Sequence, residues 1–317
     1  MSKSDRLTPG AAAFLGHTYV DHIVVPPHDL EWIDCKVIGK KLVTSFGGSA
    51  AAASFYCSGF GLRSDFLGQY ADDQHGPMVM NWFDRYGVNL HLPRLVNRSS
   101  VSIIVVAQRE IRTIVKFPDV NYLSKFPRLD VDECRGFYFD GYQIDALEYY
   151  APMCQEKEIM RFADIGDGER FADDHLRLMN VIVASDKIVK KRDLKNPRNA
   201  LRFLQAMGAK IAVITMGRRG MIWFENRDFR YFPALDIEGH IVDPSGTGDA
   251  NAAGLFYALL QWPNDSVQNA LRFSRAAAAN KALHLGHENA LTSAEAVKAM
   301  AENFREISEG EVELQVA

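Results

Sequence analysis

The stretch IVDPSGTGDANAAG, residues 241–254, places two glycines and an aspartate directly before a run of small helix-forming residues. The helix that this run predicts begins near Gly246, Thr247 and Gly248, so the first N–H groups of the helix, which have no partner inside it, lie in the turn. The positive end of the helix dipole lies at the same place, and the glycines put no side chain in the way. The turn therefore predicts a site for a phosphate or a developing anion.

Asp249, directly after the glycines, is suited to act as a general base next to a phosphate site. Asp249 can accept the proton of an attacking hydroxyl while the amides of residues 246–248 bind phosphoryl oxygens, as phosphoryl transfer requires. We name residues 243–249 the glycine loop. Taken alone, its GxGD pattern is equally compatible with a helix cap and a tight turn. It is not a P-loop, since no Lys-Ser/Thr pair follows the glycines, and it is not a complete GxGxxG dinucleotide fingerprint.

The rest of the chain alternates short β-branched runs with longer helical patterns. Between residues 136 and 216 the strands GFYFD, IMRFADI, NVIVAS and KIAVITM are separated by helix-length segments, one of them GERFADDHLRLM. This alternation predicts an α/β fold whose parallel sheet is covered by helices on both faces and binds ligands at the carboxyl ends of its strands. The earlier strands, beginning with AAFLGHTYV, include mixed ones without helices between neighbours. They predict a small β lid built from about residues 17–45 and 90–118 within one domain.

Composition excludes several classes of protein. The chain has 317 residues, 47% of them hydrophobic, with a net charge of -4, so it offers no cationic field for nucleic acid. Its four cysteines form no CxxC pair, which argues against a zinc site or a disulfide framework. The first 25 residues contain neither the apolar region of a signal peptide nor a membrane span. We expect a cytoplasmic protein without nucleic acid or membrane partners.

The glycine loop resembles the C-terminal signature of the ribokinase or PfkB family of carbohydrate kinases, which is close to DTxGAGD followed by small residues. Further segments occur in the family's order, namely GHTYVD, FGGSAAAAS, FLGQYADDQHGPMVMNWFDRYGVN and VITMGRRGM. The resemblance spans residues 11 to about 290. It implies a three-layer αβα core with a mostly parallel sheet and a β lid. The implied activity is ATP-dependent phosphorylation of a sugar, with Mg²⁺ and a monovalent cation as cofactors and a homodimer formed through the lid.

The resemblance also implies roles for individual residues. Asp249 corresponds to the catalytic base, and Gly246, Thr247 and Gly248 correspond to the anion hole. The residues implied in sugar binding are Asp21, Gly47 and Gly48. The residues implied in nucleotide binding are Thr215, Gly217 and Gly220 for the phosphates and their turn, and Asn280 for the adenine.

The chain departs from the family where the sugar is bound. The family usually has GGxxxN, but Ala52 stands at the position of the Asn, so a ribokinase-like hydroxyl contact is missing. The small-residue turn is similar to that of sulfofructose kinases and points to an anionic ketose. Lys36 is the partner we predict for the anion, ahead of Arg109 and Arg112. The other interpretation is that the lysines of the lid only protect a solvated sheet edge.

A second departure concerns magnesium. The family's NxxE segment is replaced by Ser185 and Asp186, and Asp186 is the carboxylate that we predict to hold Mg²⁺ through water, since that ion needs only one or two carboxylates beside phosphate oxygens. A helix cap is the other interpretation of this pair. Asp164 and Asp167, at the end of the preceding strand, fit either a ligand contact or a turn. The histidines, His287 included, lack a convincing set of metal ligands.

Three functions remain open from the sequence. The first is the sugar kinase described above. The second is a nucleoside kinase of the same fold, which would stack its base on lid aromatics such as Trp32, Phe46 or Phe117. The third is a protein that binds sugar and nucleotide without turnover, because a fold can be kept after its chemistry is lost.

Overall fold

The computed structural model describes residues 11–26, 36–91, 93–106, 112–225, 228–237 and 240–303. The strands are β1 (Ala11–Leu15), β2 (Tyr19–Val25), β3 (Lys41–Gly47), β4 (Ser64–Leu67), β5 (Gln69–Tyr70), β6 (Val88–Leu90), β7 (Arg94–Leu95), β8 (Val101–Val106), β9 (Arg112–Phe117), β10 (Cys134–Phe139), β11 (Met160–Gly166), β12 (Val181–Ser185), β13 (Ile211–Thr215), β14 (Met221–Glu225) and β15 (Asp228–Phe232). The helices are α1 (Ser49–Gly59), α2 (Gly76–Arg85), α3 (Ile144–Glu156), α4 (Asp173–Arg177), α5 (Ile188–Lys191), α6 (Pro197–Ala206), α7 (Thr247–Gln261), α8 (Val267–Ala282) and α9 (Ala294–Asn303).

Within these residues the main sheet has nine strands in the order β15-β14-β13-β12-β11-β10-β1-β4-β6. The pairs from β13 to β6 are parallel, whereas β14 and β15 are added antiparallel at one edge. The strands from β10 to β13 are almost wholly buried because helices cover both faces. The predicted α/β fold with a mostly parallel sheet is confirmed. Its carboxyl edge, where β1, β10, β11, β12 and β13 end, carries the candidate site.

Helix α7 is largely buried, and its small residues explain how it fits. The ring of Phe256 packs against Phe14, Tyr138 and Phe162 of the sheet. On the opposite side Gly254 lies so close to α8 that a Cβ there would be 2.9 Å from the Cα of Ser274. This packing fixes the direction of α7, so that its N-terminus points to the carboxyl edge of the sheet.

A second sheet has the order β3-β2-β8-β9 among the described residues. Its strands come from the two excursions that the sequence assigns to a lid, and we name it the lid sheet. The side chains of Ile23, Ile104 and Val106 on its inner face form a cluster with Leu285, which lies just after α8. The lid sheet is thereby held against the segment that follows α8, next to the glycine loop.

Two local predictions were wrong. AAFLGHTYV was predicted as one strand, but it contains the end of the main-sheet strand β1 and the start of the lid-sheet strand β2, with a bend between them. The bend passes through Gly16, where a Cβ would lie 2.1 Å from the Asp140 carboxylate, so no other residue fits. GERFADDHLRLM was predicted as a long helix but forms only α4. Arg109 and Trp32 lie outside the described residues, and among the described helices none has the length and apolar character of a membrane span.

Candidate active site

The glycine loop opens α7 as the sequence predicts. Gly246 has φ 73°, in the left-handed region that favours glycine, and α7 begins at Thr247. Thr247 donates its hydroxyl to the carbonyl of Pro244 at 3.1 Å, which closes the turn on itself. At Gly248 the space where a Cβ would stand is open for 4 Å. The first turn of α7, whose backbone N–H groups have no partner within the helix, therefore has open space beside Gly248 at the positive end of a fifteen-residue helix.

Asp249 lies in the first turn of α7 and is held by a histidine. Its Oδ2 is 3.6 Å from Nε2 of His287, and its side chain is 27% exposed. His287 is itself fixed, because its Nδ1 is 3.1 Å from the hydroxyl of Tyr56 and its ring stacks on Phe46. Burial acts to raise the pKa of Asp249, but the nearby imidazole of His287 and the charge of Lys116 outweigh it and lower that pKa. Asp249 is therefore ionised at neutral pH and ready to accept a proton.

A second carboxyl group faces Asp249 from the end of β11. Asp164 accepts a hydrogen bond from the hydroxyl of Ser49, and another from Tyr138 at 3.1 Å. Burial raises the pKa of Asp164 to about 6, and the negative charge of Asp249 contributes in the same direction. The two carboxyl groups therefore lie close enough to influence each other's ionisation, with Asp164 the one that binds a proton more easily.

A third carboxyl group comes from the lid sheet. Asp21 accepts a hydrogen bond from Ser102, and burial raises the pKa of Asp21. The glycine pair after β3 allows this arrangement: a Cβ at Gly47 would lie 2.1 Å from the Asp21 carboxylate, and Gly48 has φ 93°. The pKa of Asp21 also responds to the charge of Asp249, so the structure brings the predicted sugar-site residues to the predicted base.

Two cationic side chains lie near the carboxyl groups of Asp21, Asp164 and Asp249. Ser102 pairs across the lid sheet with Lys116, whose Nζ lies 5.2 Å from the ring centre of Tyr19. Arg170 lies on the core side, with its guanidinium carbon 4.6 Å from the ring centre of Tyr142. The two tyrosine hydroxyls are 2.9 Å apart. The cations therefore flank one tyrosine pair, and we name Lys116 and Arg170 the cation pair.

The predicted nucleotide residues divide between two places. Thr215 ends β13, and its carbonyl accepts a hydrogen bond from the backbone N–H of Asp186 at 2.9 Å. The next residues form a tight turn in which Gly220 has φ 76° and a Cβ would lie 2.3 Å from a backbone oxygen. Gly217 has φ 60° in the same turn. Asn280 lies instead on α8, where its amide donates to the carbonyl of Ala290 at 2.7 Å.

Asp186, the carboxylate predicted to hold Mg²⁺ through water, already has a cationic partner in the structure. Asp186 forms an ion pair with Arg219 at 2.5 Å. Among the described residues no group of three or more His, Cys, Asp or Glu side chains could hold a metal ion by itself. Mg²⁺ bound to ATP needs only one or two carboxylates, and Asp164, whose pKa responds to the charge of Asp249, is a carboxylate near the glycine loop that, within the described part of the chain, forms no ion pair with an arginine as Asp186 does.

Other predicted residues lie away from the reacting groups. Lys36 is exposed at the start of its described segment. Arg112 donates to the carbonyl of Pro244 at 2.5 Å, so it supports the glycine loop rather than standing open to a ligand. Ala52 is fully buried in the core. Phe46 is also buried, and Phe117 lies on the face of β9 opposite to Lys116, so neither of these aromatic rings lines the site.

Four residues that contribute to the site were not chosen as site residues from the sequence: Ser49, Lys116, Arg170 and His287. Ser49 directly follows the glycine pair, so its place at the start of α1 was a usable signal. The other three lie in segments without a motif. Their roles depend on which distant segments the fold brings together.

An α/β fold with a glycine loop and an ionised carboxylate at its carboxyl edge defines a phosphotransferase that acts on an alcohol group. The family of pfkB carbohydrate kinases matches residues 12–294, and the chain belongs to this family. It is therefore a sugar or nucleoside kinase.

Individual relatives are distant. The chain is 20% identical over 275 residues to an ATP-dependent 6-phosphofructokinase of Thermoanaerobacterium thermosaccharolyticum, covering 80% of this chain and 84% of that protein. Among solved structures, ribokinase from Thermotoga maritima has a TM-score of 0.76 at 16% identity, covering 93% of this chain and all of that one. A Burkholderia thailandensis nucleoside kinase in complex with inosine has a TM-score of 0.72 at 17% identity, covering 92% and 97%. At these identities the structures establish the fold alone.

Proposed function

We propose that the protein transfers the γ-phosphate of ATP to a hydroxyl of a sugar or sugar derivative. The observation that carries this proposal is the ionised carboxylate of Asp249 in the first turn of α7, one residue after the open amides of the glycine loop. Asp249 accepts the proton of the attacking hydroxyl, and the amides of Thr247 and Gly248 bind the oxygens of the transferred phosphoryl group. His287 keeps the carboxylate ionised and in place.

ATP fits the carboxyl edge of β12 and β13, beside the turn that contains Gly217 and Gly220. The Mg²⁺ ion that accompanies ATP would be held by phosphate oxygens, water and Asp164, and would neutralise charge on the phosphates. Asp164 keeps a fixed orientation through Ser49 and Tyr138. Asp21 and the lid sheet cover the sugar from the other side and exclude water from the reacting atoms.

The charges around the sugar support an anionic ketose as the substrate class. The cation pair, Lys116 and Arg170, lies beside the carboxylates and acts on the same buried side chain: burial, opposed by the charge of Asp119 and assisted by both cations, lowers the pKa of His17 to about 3. A sulfonate or phosphate on the sugar would bring an anion to Lys116 and add a second one to Arg170, whose pKa the buried carboxylate of Asp140 already raises against the effect of burial. We therefore place the anion there rather than at Lys36, and the relative named as a 6-phosphofructokinase is consistent with a phosphorylated sugar.

A nucleoside is the second candidate. It is favoured by Tyr142, whose ring is partly exposed beside the site and would offer a base an edge-to-face contact, since His17 already stacks on that ring with the ring centres 4.6 Å apart. Since Phe46 is buried and Phe117 faces away, the lid sheet supplies less aromatic surface than this function would need.

The test is ADP release with ATP and Mg²⁺ over a panel of hexoses, ketoses, phosphorylated and sulfonated ketoses, and nucleosides. We expect turnover on an anionic ketose, and a KM for it that rises about tenfold or more in Lys116→Met, because one charged partner is lost. Asp249→Asn should lower kcat by about 10²- to 10⁴-fold with nearly unchanged ATP affinity. Asp174→Asn, which changes a carboxylate whose side chain is 93% exposed, is the matched control.

Each outcome decides a separate part of the proposal. Near wild-type turnover in Asp249→Asn would refute the role of that residue as the base. Turnover on a nucleoside but on no sugar would replace the substrate class. If ATP binds and no acceptor on the panel is phosphorylated, the kinase proposal itself fails for these acceptors.

We also propose that two copies associate through the outer face of the lid sheet. This face carries exposed apolar side chains on neighbouring strands, with Leu42 69%, Ile103 40% and Val115 47% exposed. Ile103 and Val115 are directly paired across β8 and β9, so the surface is continuous. Such a surface is a typical site of association. Light scattering should give the mass of a dimer for the wild type and of a monomer for Ile103→Lys, whereas a monomeric wild type would contradict the proposal.

A further inference from the structure

A lysine lies completely buried behind the glycine loop. Lys281 belongs to the last turn of α8, and its side chain is 0% exposed. Its Nζ is 3.1 Å from Oδ2 of Asp243, 3.2 Å from the carbonyl oxygen of Asp243 and 3.0 Å from the carbonyl oxygen of His284. An ammonium group has three N–H donors, so three oxygens satisfy it. Neither partner of the ion pair touches water, and the pair is not an ordinary surface salt bridge.

The oxygens around Lys281 belong to the two segments that build the site. Asp243 is the first residue of the glycine loop, and its Oδ1 accepts from the backbone N–H of Ser245 at 2.9 Å. Its Oδ2 also accepts from the backbone N–H of Gly286 at 2.9 Å. The residue after Gly286 is His287, which contacts Asp249. One buried charge therefore connects the loop that binds the phosphoryl group to the residue that holds the base.

Removing the ammonium group would leave the two carbonyl oxygens without this donor and Asp243 Oδ2 with only the backbone N–H of Gly286. Two carbonyl oxygens and a carboxylate oxygen point at one position, and their partial or full negative charges repel one another unless a cation lies between them. Burial acts to raise the pKa of Asp243, but the charge of Lys281 and the hydrogen bonds of Ser245 and Gly286 lower it, so the carboxylate stays ionised. Burial lowers the pKa of Lys281, while the carboxylate of Asp243 opposes that effect.

The same set of oxygens is what a monovalent cation would require. Carbonyl and carboxylate oxygens replace the hydration shell of such an ion in proteins. The resemblance to carbohydrate kinases implies a monovalent cation as cofactor. At this position the residues do not fit one, because the ammonium group of Lys281 already occupies the space between the oxygens of Asp243 and His284. The chain carries its own cation there.

We propose that Lys281 is a positioning residue that acts as an internal monovalent cation, holding the glycine loop in its anion-binding form and making the protein independent of added K⁺. The effect on activity rests on the kinase function proposed above. The effect on the folded structure does not, so the two can be tested separately.

The first measurement uses the wild type. Its initial rate with ATP and Mg²⁺ is compared in buffers that contain K⁺, NH₄⁺, Na⁺ or tetramethylammonium at equal ionic strength. We expect rates that agree within about 1.5-fold, since the position is filled and no ion can add to the loop. Activation of the wild type by K⁺ of about fivefold or more, relative to tetramethylammonium, would overturn the proposal.

The second measurement removes the ammonium group. In Lys281→Ala we expect kcat in tetramethylammonium to fall by about 10- to 100-fold, because the loop loses its fixed geometry, while NH₄⁺ or K⁺ restores part of the rate. Lys281→Met, whose side chain fills the space, should lose a similar rate without being restored by either ion. Lys210→Ala removes an exposed lysine at the opposite end of β13 and should behave as the wild type.

The third measurement does not depend on turnover. The melting temperature of Lys281→Ala should rise by roughly 2–4 °C when NH₄⁺ replaces tetramethylammonium, since an ion that binds only the folded protein stabilises it. Lys281→Met and the wild type should not respond. A cation-specific rise without catalytic turnover would support the internal cation and count against the kinase function. If folded Lys281→Ala shows wild-type kcat, or neither ion changes its melting temperature, the proposal is wrong.

Discussion

Asp164→Asn is expected to make the protein more stable at neutral pH. Burial and the charge of Asp249 raise the pKa of Asp164 from 3.8 to about 6. Between about pH 4 and 6 the folded protein therefore holds a proton that the unfolded chain has released, and at neutral pH it carries a buried charge that is unfavourable. A carboxyl group with a raised pKa contributes fully to stability below about pH 4, and this contribution disappears as the pH rises through about 6. A shift of two units corresponds to about 3 kcal/mol of unfolding free energy.

The asparagine variant avoids this cost because it carries no charge at any pH. Its amide oxygen can still accept from Ser49 and Tyr138, but the amide nitrogen takes the place of the oxygen that accepts from the backbone N–H of Gly166 at 3.2 Å, so one hydrogen bond is lost. The unfolding free energy of Asp164→Asn should exceed that of the wild type by up to about 3 kcal/mol at pH 7.5, and the difference should shrink towards zero near pH 4. For a chain of this length, 3 kcal/mol corresponds to a melting temperature about 6 °C higher.

The assay is urea unfolding followed by tryptophan fluorescence from pH 4 to pH 8 on both proteins. Asp174→Asn is the matched control, because the Asp174 side chain is 93% exposed and its loss should leave the pH dependence unchanged. A stability difference between Asp164→Asn and the wild type that stays constant across this range would refute the ionisation argument. A variant less stable than the wild type at pH 7.5 would show that the carboxylate is a net stabiliser.

Two further predictions concern α7 and the base. Gly254→Val should lower the unfolding free energy by about 3 kcal/mol, since even a Cβ at this position would lie 2.9 Å from the backbone of α8. Thermal unfolding measures this loss, and a variant as stable as the wild type would contradict the close packing of α7 on α8. His287→Phe should move the acidic limb of the kcat/KM profile to higher pH, because His287 lowers the pKa of Asp249 and a base with a higher pKa is protonated earlier as the pH falls. A pH profile identical to that of the wild type would exclude this role of His287.

The glycine loop and the parallel sheet could be predicted from the sequence because their causes are local. A helix N-terminus has unpaired N–H groups wherever it occurs, and glycines directly before it leave those groups open. In the same way, alternating buried strands and helices of the right length define an α/β sheet, whichever order the strands finally take. Asp249 could be chosen from the sequence for the same reason, since it lies within the turn that it serves.

The surroundings of that residue depend on tertiary structure. Ser49 and Asp164 are 115 positions apart, and Tyr56 and His287 are 231 positions apart, yet each pair is in hydrogen-bond contact. Lys36 stays the sequence's prediction for the anion. That Lys116 lies on the same face of the lid sheet as Ser102 could not be predicted, because a strand's residues alternate between faces and only the register decides which lysine turns inward.

The buried ion pair of Lys281 and Asp243 shows most clearly which contacts cannot be predicted from sequence. From the sequence, Lys281 is one of several lysines and Asp243 is one of two acids in the glycine loop. A lysine on a helix is ordinarily exposed, and only the packing of α8 behind the loop removes this one from water and surrounds it with oxygens. The backbone geometry near a glycine depends on residues that are close in the chain. The burial of a side chain and its pairing with a charge depend on which distant segments the fold brings into contact. The sequence alone therefore determined the fold class and the position of the glycine loop. The tertiary structure decided which distant side chains contact that loop and which charges lie near it.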